Sequence, residues 1–273
     1  MSKSIAWLTD PHLNFVDKKE LEDYLKVISD KEPDALMISG DIAEAPSLER
    51  CLVALGSVGV PVYFVLGNHD YYRGSIGGVR ALVEELTEAD NNLYWLPHHG
   101  VVKLNDDTCL IGVDGWGDAQ LGTPFARCSP IMSDWELIEN FRQHRLYGRF
   151  ERHGIVAQVK ELGENEAAQA EVLLKKALEN YKNIAFLTHI PPWKEATWHQ
   201  GNHSDDGWLP WFSCAAVGDT LEHLMWENQD ANLTVYCGHT HGRGESDMAS
   251  NIKAITGGAR YHYPAVERVL HFD

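Results

Sequence analysis

The first third of the chain alternates short apolar runs with longer stretches in which apolar residues recur at helical spacing. Leu21, Leu25 and Ile28, for example, share one face of a helix if the residues around them are helical. The predicted strands are residues 5–9, 35–39 and 61–66, and the predicted helices are residues 18–31, 48–55 and 79–89. This alternation predicts a parallel sheet whose strands are joined by right-handed helical crossovers.

The pattern changes beyond residue 100. Two short apolar runs around Asn105-Asp106-Asp107 predict a β-hairpin. Residues 118–165 carry many aromatic and charged residues but no strand pattern, so we expect a mainly helical, cap-like insertion there. The later elements are predicted as helices at 164–180 and 217–227 and as strands at 184–188, 233–237, 252–256 and 266–272. Residues 1–273 are therefore expected to form a single α/β (α+β) domain.

The composition limits the kinds of molecule that this chain is expected to bind. The formal net charge is -17, and a nucleic-acid partner is unexpected because such binders present basic surfaces to the phosphates. No apolar run is long enough for a membrane helix, and the start of the chain lacks a signal-peptide pattern, so we expect a cytoplasmic protein without a membrane partner. The five cysteines include no Cys-x-x-Cys pair, which argues against structural zinc and for free thiols.

Five of the predicted strands end in residues that commonly bind metal ions. In an open α/β sheet the carboxyl ends of parallel strands meet at one edge, where ligands bind. The segments are Asp10-Pro11-His12, Gly40-Asp41, Gly67-Asn68-His69-Asp70, His189 and Gly238-His239-Thr240-His241. Imidazole and carboxylate ligands without thiolates suit divalent transition metals, and such ions would give this acidic chain the local positive charge that an anionic substrate needs.

The ordered set Asp-x-His, Gly-Asp, Gly-Asn-His-Asp, His and Gly-His-x-His resembles the calcineurin-like metallophosphoesterases, and it spans residues 10–241. The resemblance implies a four-layer sandwich of two packed mixed β-sheets flanked by helices. It also implies a hydrolase of phosphate esters that holds two divalent transition metal ions, with Mn or Fe expected and Zn, Co or Ni as alternatives.

The same resemblance implies a role for each site residue. The first metal would be held by Asp10, His12, Asp41 and His241, and the second by Asp41, Asn68, His189 and His239. Asp41 would bridge the two ions, and a metal-bridging hydroxide would attack phosphorus. His69 would be catalytic, either protonating the leaving alkoxide or stabilising charge on the phosphoryl group, with Glu44 or Asp70 as its orienting partner.

Departures from the pattern point to a branch of the family. The segment Asp41-Ile42-Ala43-Glu44 lacks the tyrosine of purple acid phosphatases, so a purple ferric enzyme is not expected. The phosphate-clamping arginines of the serine/threonine protein phosphatases are absent from residues 40–46 and 66–70. We therefore expect a member of the small phosphodiesterase and phosphatase branch, acting on a small-molecule phosphodiester or phosphomonoester.

Two features are candidates for substrate binding. Arg142, Arg145, Arg149 and Arg152 would form one basic stripe on a helix, with Arg142 and Arg145 as the candidate phosphate contacts. The alternative is a solvated face that pairs with acidic residues. The loop after His189 is rich in aromatic residues, of which Trp193 and Trp208 could line the pocket. The alternative there is packing that anchors the loop.

Two further interpretations stay open at this point. The same metal centre would serve a nuclease or a protein phosphatase; overall acidity and the missing arginines count against both, and the arginine stripe keeps the nuclease open. A non-catalytic scaffold of the same fold should have lost ligands or His69, all of which are present. The sequence leaves the oligomeric state undetermined.

Overall fold

A computed structural model describes residues 3–90 and 92–272. The strands are β1 (Lys3–Leu8), β2 (Ala35–Ser39), β3 (Val62–Val65), β4 (Leu93–Trp95), β5 (Val102–Lys103), β6 (Thr108–Gly112), β7 (Arg145–Leu146), β8 (Arg149–Phe150), β9 (Asn183–Leu187), β10 (Trp198–His199), β11 (Asn202–His203), β12 (Asn232–Cys237), β13 (Gly244–Ala249), β14 (Ile252–Thr256) and β15 (Arg268–Phe272). The helices are α1 (Lys18–Ser29), α2 (Ala45–Gly56), α3 (Ile76–Ala89), α4 (Leu96–His99), α5 (Ser133–Leu137), α6 (Glu139–Arg142), α7 (Arg152–Leu178), α8 (Leu209–Phe212) and α9 (Ala215–Glu227).

Two mixed sheets carry the fold. The first runs in the order β15-β1-β2-β3-β4, with β1 to β4 parallel and β15 antiparallel to β1. The second runs β13-β14-β12-β9-β6-β5, with the inner strands parallel and both edge strands antiparallel to their neighbours. Because the inner strands run parallel within each sheet, their carboxyl ends collect at one edge of that sheet.

The helices that cover the first sheet begin at positions set by local sequence. Asp17 caps α1 in a capping box with Glu20, so two backbone N–H groups at the helix start are satisfied by side chains. Ser75 caps α3 by accepting from the backbone N–H of Gly78. Pro46 lies in the first turn of α2, where its missing N–H costs no helical hydrogen bond.

Three apolar layers hold the sheets and helices together. The faces that the two sheets turn toward each other are fully or almost fully buried, and they contribute Trp7, Met37, Val65, Leu187, Tyr236 and Ile255 among others. The outer face of the first sheet packs under α1, α2 and α3, and that of the second under α7 and α9. Full burial of each large apolar side chain stabilises the fold by about 1.5–3 kcal/mol. The layering confirms the expected two packed mixed sheets flanked by helices.

The insertion is less helical than predicted. Residues 118–132 are turns and irregular backbone, and the short helices α5 and α6 are followed by the β7-β8 hairpin. A helix cannot run through this hairpin because Tyr147 and Gly148 at its turn both have left-handed backbone, with φ of 49° and 78°. The long helix α7 then begins at Arg152, well before the predicted start at residue 164. Gly163, inside this helix, packs closely against the side chain of Asp118.

Strands β4 and β13 were not predicted. The three residues of β4, Leu93–Trp95, are too few to show a period. Strand β13 carries Glu245, Ser246 and Asp247, and its burial alternates between half-exposed and exposed positions because it lies at the edge of the second sheet. Within residues 3–90 and 92–272, the structure contains no helix with the length and apolar character that a membrane crossing requires.

A buried ionic network ties α3 and α7 to the strand ends. Asp114, just after β6, accepts hydrogen bonds from the backbone N–H of Leu66 at 2.8 Å and from Trp95 Nε1 at 2.9 Å. Arg80 lies between Asp114, at 3.2 Å, and Glu166 of α7, at 2.6 Å. Burial, reinforced by Asp114, raises the pKa of Glu166 to about 7. Removing one member would leave a buried charge unpaired, so this network favours a single arrangement of α3, α7 and the strand ends.

Candidate metal centre

The predicted ligands come from strand ends in both sheets and meet where the two sheets adjoin. Residues that follow β1, β2 and β3 approach from the first sheet, and residues that follow β9 and β12 approach from the second. The first sheet supplies Asp10, His12, Asp41, Asn68 and His69, and the second supplies His189, His239 and His241.

One group of ligand atoms surrounds the position expected for the first metal. Nitrogen and oxygen atoms of Asp10, His12, Asp41 and His241 all lie within 4.8 Å of one another. His12 Nε2 is 3.2 Å from His241 Nε2 and 3.7 Å from Asp41 Oδ2. His241 Nε2 is 3.4 Å from Asp10 Oδ1. These donors converge on one point, as the ligands of a single cation do.

A second group adjoins the first and shares Asp41 with it. Ligand atoms of Asp41, His189 and His239 also lie within 4.8 Å of one another. Asn68 Oδ1 is 3.1 Å from both His189 Nε2 and His239 Nδ1. Asp41 Oδ1 is 3.3 Å from His189 Nε2, whereas its Oδ2 faces His12 in the first group. The two oxygens of one carboxylate thus face different histidine sets, which is the arrangement of a bridging ligand.

The backbone is strained where it presents these ligands. Five non-glycine residues of the site have left-handed φ, between 43° and 67°: Asp10, His12, Asp41, His239 and His241. Such conformations cost about 1–2 kcal/mol each and cluster at functional sites. Glycines make room for the carboxylates, because a Cβ on Gly67 would collide with Asp41 and one on Gly238 would collide with Asp10. The glycines in the sequence blocks are therefore part of the site geometry.

Hydrogen bonds from outside the clusters orient several of the ligands. His189 Nδ1 is 2.8 Å from the carbonyl oxygen of Ser39, so this nitrogen donates and Nε2 is left to face Asp41. Asn68 Nδ2 donates to Asp134 Oδ1 at 2.8 Å, which directs the amide oxygen of Asn68 toward the histidines. Tyr72 OH donates to the same Asp134 oxygen at 2.6 Å. Asp134 belongs to the insertion, so the insertion helps to position a candidate ligand.

The electrostatics of the site fit bound cations. Asp41 is 1% exposed, and burial together with the neighbouring Asp10 raises its pKa well above the usual range. Burial, and then neighbouring His69, lowers the pKa of His12 to about 2, so this imidazole is neutral at pH 7, the form that binds metals. Buried carboxylates beside neutral imidazoles gain most from a positive ion placed between them. The residues present therefore fit a pair of divalent metals.

His69 stands beside the clusters. Its ring stacks on Tyr72, with centroids 4.2 Å apart, and its Nε2 is 4.0 Å from Asp41 Oδ2. Burial, and then neighbouring His189, lowers the pKa of His69 to about 3. Neither expected orienting partner contacts the ring: Glu44 pairs with Arg73, and Asp70 accepts from the backbone N–H groups of Ala43 and Gly67. Those two suggestions were wrong because both carboxylates are used to hold the loops that carry Asp41 and Asn68.

A cavity of about 270 Å³ opens over the clusters. Its walls include candidate ligands, residues 131–133 of the insertion, His199, Trp208, Phe212 and Tyr261. The ring of Tyr261 lies 4.4 Å from that of His12 and 5.0 Å from that of His241. Sequence analysis missed Tyr261, although the Gly257-Gly258 pair that follows β14 marks one more strand end at this edge.

Of the two tryptophans proposed to line the pocket, Trp208 does so and Trp193 does not. Trp208 is 40% exposed, and its ring lies tilted against that of Phe212, whose ring meets His239 edge-on at 4.6 Å. Trp193 is 7% exposed and packs in the core of the second sheet, close to Gly218 of α9. The prediction was wrong for Trp193 because its side chain anchors the loop after His189, which was the alternative interpretation.

The four arginines do not form a basic stripe. They lie in α6, β7, β8 and the first turn of α7, so they share no helix face. Arg142 donates to the carbonyl oxygen of Glu136 at 2.9 Å, and Arg145 pairs with the Glu136 carboxylate at 2.8 Å. Arg152 donates to the carbonyl oxygens of Pro124 and Ser129. None of them lines the cavity over the clusters, so the proposed phosphate contacts at Arg142 and Arg145 are replaced by bonds that hold the insertion together.

Asp134→Ala is expected to weaken the second metal position selectively. Without Asp134, the amide of Asn68 can rotate away from His189 and His239, and loss of such an orienting group typically costs about 10–100-fold in metal affinity. We expect a loss of about that size at one of two sites, measured by competition with a fluorescent chelator.

Asp134→Asn is the matched control, because an asparagine oxygen can still accept from Tyr72 and Asn68 and should keep most of the affinity. Equal weakening at both sites, or no weakening in the alanine variant, would contradict the orienting role of Asp134.

Known proteins share sequence and fold with this chain. The model of the calcineurin-like phosphoesterase family matches residues 3–243. A bovine (Bos taurus) transmembrane protein with a metallophosphoesterase domain is 31% identical over 121 residues, which are 41% of this chain and 27% of that protein, so the match covers about a quarter of the relative's length.

Two solved structures share the fold at low identity. A dimetal phosphatase from Danio rerio superposes with a TM-score of 0.56 at 14% identity, over 94% of this chain and 87% of that one. A Thermus thermophilus protein, TT1561, gives a TM-score of 0.53 at 14% identity, over 94% of this chain and 90% of that one. With the family model matched over nearly the whole chain and the same fold in these neighbours, the chain belongs to the calcineurin-like phosphoesterase family.

Proposed function

We propose that this chain is a dinuclear metal-dependent hydrolase of small-molecule phosphate esters. The observation that carries the proposal is the carboxylate of Asp41, whose two oxygens face two separate ligand clusters. The fold neighbour described as a dimetal phosphatase adds support. Mn or Fe are the proposed ions, with Zn, Co and Ni as alternatives, because imidazole and carboxylate oxygen suit all of them.

Some residues of the chain would hold the metal ions, and His69 would transfer a proton. Bound ions would polarise the phosphate oxygens and lower the pKa of a coordinated water. Asp41 fixes the spacing of the two positions, and the imidazole tautomer of His189 is set by its hydrogen bond to Ser39. His69 lines the cavity on the substrate side, where its imidazole can hand a proton to the leaving oxygen. The rings of Trp208 and Phe212 line one side of the cavity.

The size of the cavity and the positions of the four arginines favour a small ester over a macromolecule. A volume of about 270 Å³ matches a phosphate with a modest alcohol group. The arginine stripe that had kept a nuclease open is not formed, because its members lie on four different elements. A scaffold is disfavoured because the ligand atoms converge within 4.8 Å in both clusters. The cytoplasmic location stays a prediction.

The test is hydrolysis of para-nitrophenyl phosphate and bis-para-nitrophenyl phosphate by metal-stripped protein after addition of Mn²⁺, Fe²⁺, Co²⁺, Ni²⁺ or Zn²⁺. We expect turnover only with metal, rising until two equivalents are bound, because both clusters are needed to position the ester. Protein that binds two ions and turns over neither ester would favour the scaffold instead. Protein that binds no transition metal would refute the proposal.

A further inference from the structure

The cavity over the metal clusters continues past His241 into a wider groove. His199, His241 and Tyr261 line both the cavity over the clusters and a neighbouring depression of about 570 Å³. That depression in turn shares Arg243, Ala259 and Arg260 with a third hollow of about 390 Å³, which reaches Asp10 and Tyr263. We call the part lined by His199, Gln200, Arg243, Ala259, Arg260 and Tyr261 the arginine groove.

Two arginines line this groove, and each has guanidinium N–H groups that are free to donate to a ligand. Arg260 lies 4.4 Å over the ring of Tyr263, and within the described residues its guanidinium has no carboxylate partner. Arg243 uses Nε to bond Glu267 at 2.7 Å, and its two Nη groups have no partner in the same part of the chain. In a protein with 40 acidic and 23 basic residues, an arginine without a carboxylate beside a candidate metal centre calls for an explanation.

The groove is built at a defined position relative to the metal clusters. The backbone N–H of Ala259 donates to the carbonyl oxygen of His241 at 3.4 Å, which ties the loop that carries Arg260 to a candidate ligand. Gly258 leaves room for the side chain of Arg243, because a Cβ there would be 2.7 Å from Arg243 Cγ. The aromatic side of Tyr261 separates the groove from His12. A part of the substrate that extends out of the cavity past His241 would therefore reach the guanidinium groups of Arg243 and Arg260.

We propose that the arginine groove binds a second anionic group, a phosphate or a carboxylate, on the alcohol part of the ester. This deepens the proposed function and rests on it: the scissile phosphate would lie on the metal clusters while the second anion lies on Arg260 and Arg243. Guanidinium groups bind both anions through paired N–H donors, and these charge-assisted bonds are the strong class of protein hydrogen bond. The substrate class is thus a phosphate ester with a second acidic group on a short tail.

The experiment compares esters that differ only at the end of the tail. In the ester class that the metal-loaded enzyme turns over, the alcohol part ends in a hydroxyl, a carboxylate or a phosphonate, on alkyl chains of increasing length. We expect wild-type kcat/KM to favour an acidic tail over the hydroxyl by about 10- to 100-fold, mainly through KM. A preference for phosphonate or for carboxylate then identifies the anion.

Variants assign that preference to the groove. Arg260→Gln should abolish most of it, by lowering kcat/KM for the acid-tailed esters far more than for the hydroxyl-tailed ester, and Arg260→Lys should restore part of it because the charge returns. Arg50→Gln, an exposed arginine of α2 outside the groove, is the matched control and should change nothing. No preference in the wild type, or a preference unaffected by Arg260→Gln, would overturn the proposal.

A binding measurement separates this inference from the proposed function. Calorimetric titration of the metal-loaded protein with an alkane bisphosphonate and with the monophosphonate of equal length needs no turnover. We expect tighter binding of the bisphosphonate, and loss of that difference in Arg260→Gln while monophosphonate binding persists. If the metal-loaded protein hydrolyses neither phosphomonoesters nor phosphodiesters, the proposed function alone is refuted. Equal binding of the two phosphonates would refute the second subsite alone.

Discussion

Asp41→Asn is expected to fold normally and to lose at least about 10³-fold in kcat/KM. Asparagine tolerates the left-handed backbone at this position, with φ of 52°, and its Oδ1 can still accept the backbone N–H of His69, which now lies 2.8 Å from Asp41 Oδ1. It cannot supply a negatively charged oxygen to each cluster. Metal positioning and charge stabilisation are worth several kcal/mol, and every 1.36 kcal/mol is about tenfold in rate.

The affinity of Asp41→Asn for each of the two ions distinguishes a carboxylate that bridges both metals from one that binds a single metal. If Asp41 bridges, the asparagine variant should bind both ions more weakly, as measured by chelator competition on protein whose unfolding transition matches the wild type. Asp30→Asn, at the end of α1 and remote from the site, controls for the loss of one carboxylate. Retention of one ion at wild-type affinity would show that Asp41 serves a single metal and would contradict its bridging role.

His69→Ala is expected to lower kcat by about 10²–10⁴-fold while the affinity for both metals stays near that of the wild type. The imidazole lies against Tyr72 and over the cavity, and its nearest approach to the clusters is 4.0 Å, from Nε2 to Asp41 Oδ2. Because the pKa of His69 is lowered to about 3 by burial first and then by His189, the ring is neutral in the free protein at pH 7. If His69 protonates the leaving oxygen, it would therefore have to take up a proton in the complex with the ester.

The choice of leaving group tests which role His69 has. An alkyl alkoxide needs a proton as it departs, whereas para-nitrophenolate departs without one. If His69 assists the leaving group, the alanine variant should lose more activity toward alkyl esters than toward para-nitrophenyl esters. Equal losses on both would assign His69 to charge stabilisation on the phosphoryl group instead. His69→Asn, which fills more of the space, separates the loss of the imidazole from the effect of a hole beside Tyr72.

The strand ends were predictable because their information is local. A buried apolar run that ends at Gly-Asp or Gly-His indicates both a strand and the polar side chain at its carboxyl end. Parallel pairing then brings the carboxyl ends of several strands to one edge of the sheet. Asp10, Asp41, Asn68, His189 and His241 came together in the structure for that reason. Their roles in binding metal stay predictions, which the variants of Asp41 and Asp134 test.

The residues that sequence reasoning missed act through contacts between distant segments. Asp134 is one carboxylate in an irregular region, and only the fold places it 2.8 Å from Asn68 Nδ2. Tyr261 belongs to a loop without periodicity. The error over the arginines has a different cause: spacings of three and four residues predict a common face only if the segment is helical, and the turn at Tyr147-Gly148 prevents that.

Each candidate metal position takes ligands from both sheets, and this has a consequence for assembly of the fold. The first position combines Asp10, His12 and Asp41 with His241, and the second combines Asp41 and Asn68 with His189 and His239. Neither ligand set can form until the two sheets have docked, so each bound ion would link one sheet to the other. An ion present at about 100 times its dissociation constant would add about 2.7 kcal/mol to the stability of the docked state. Chelation would remove this stabilisation from the docked state.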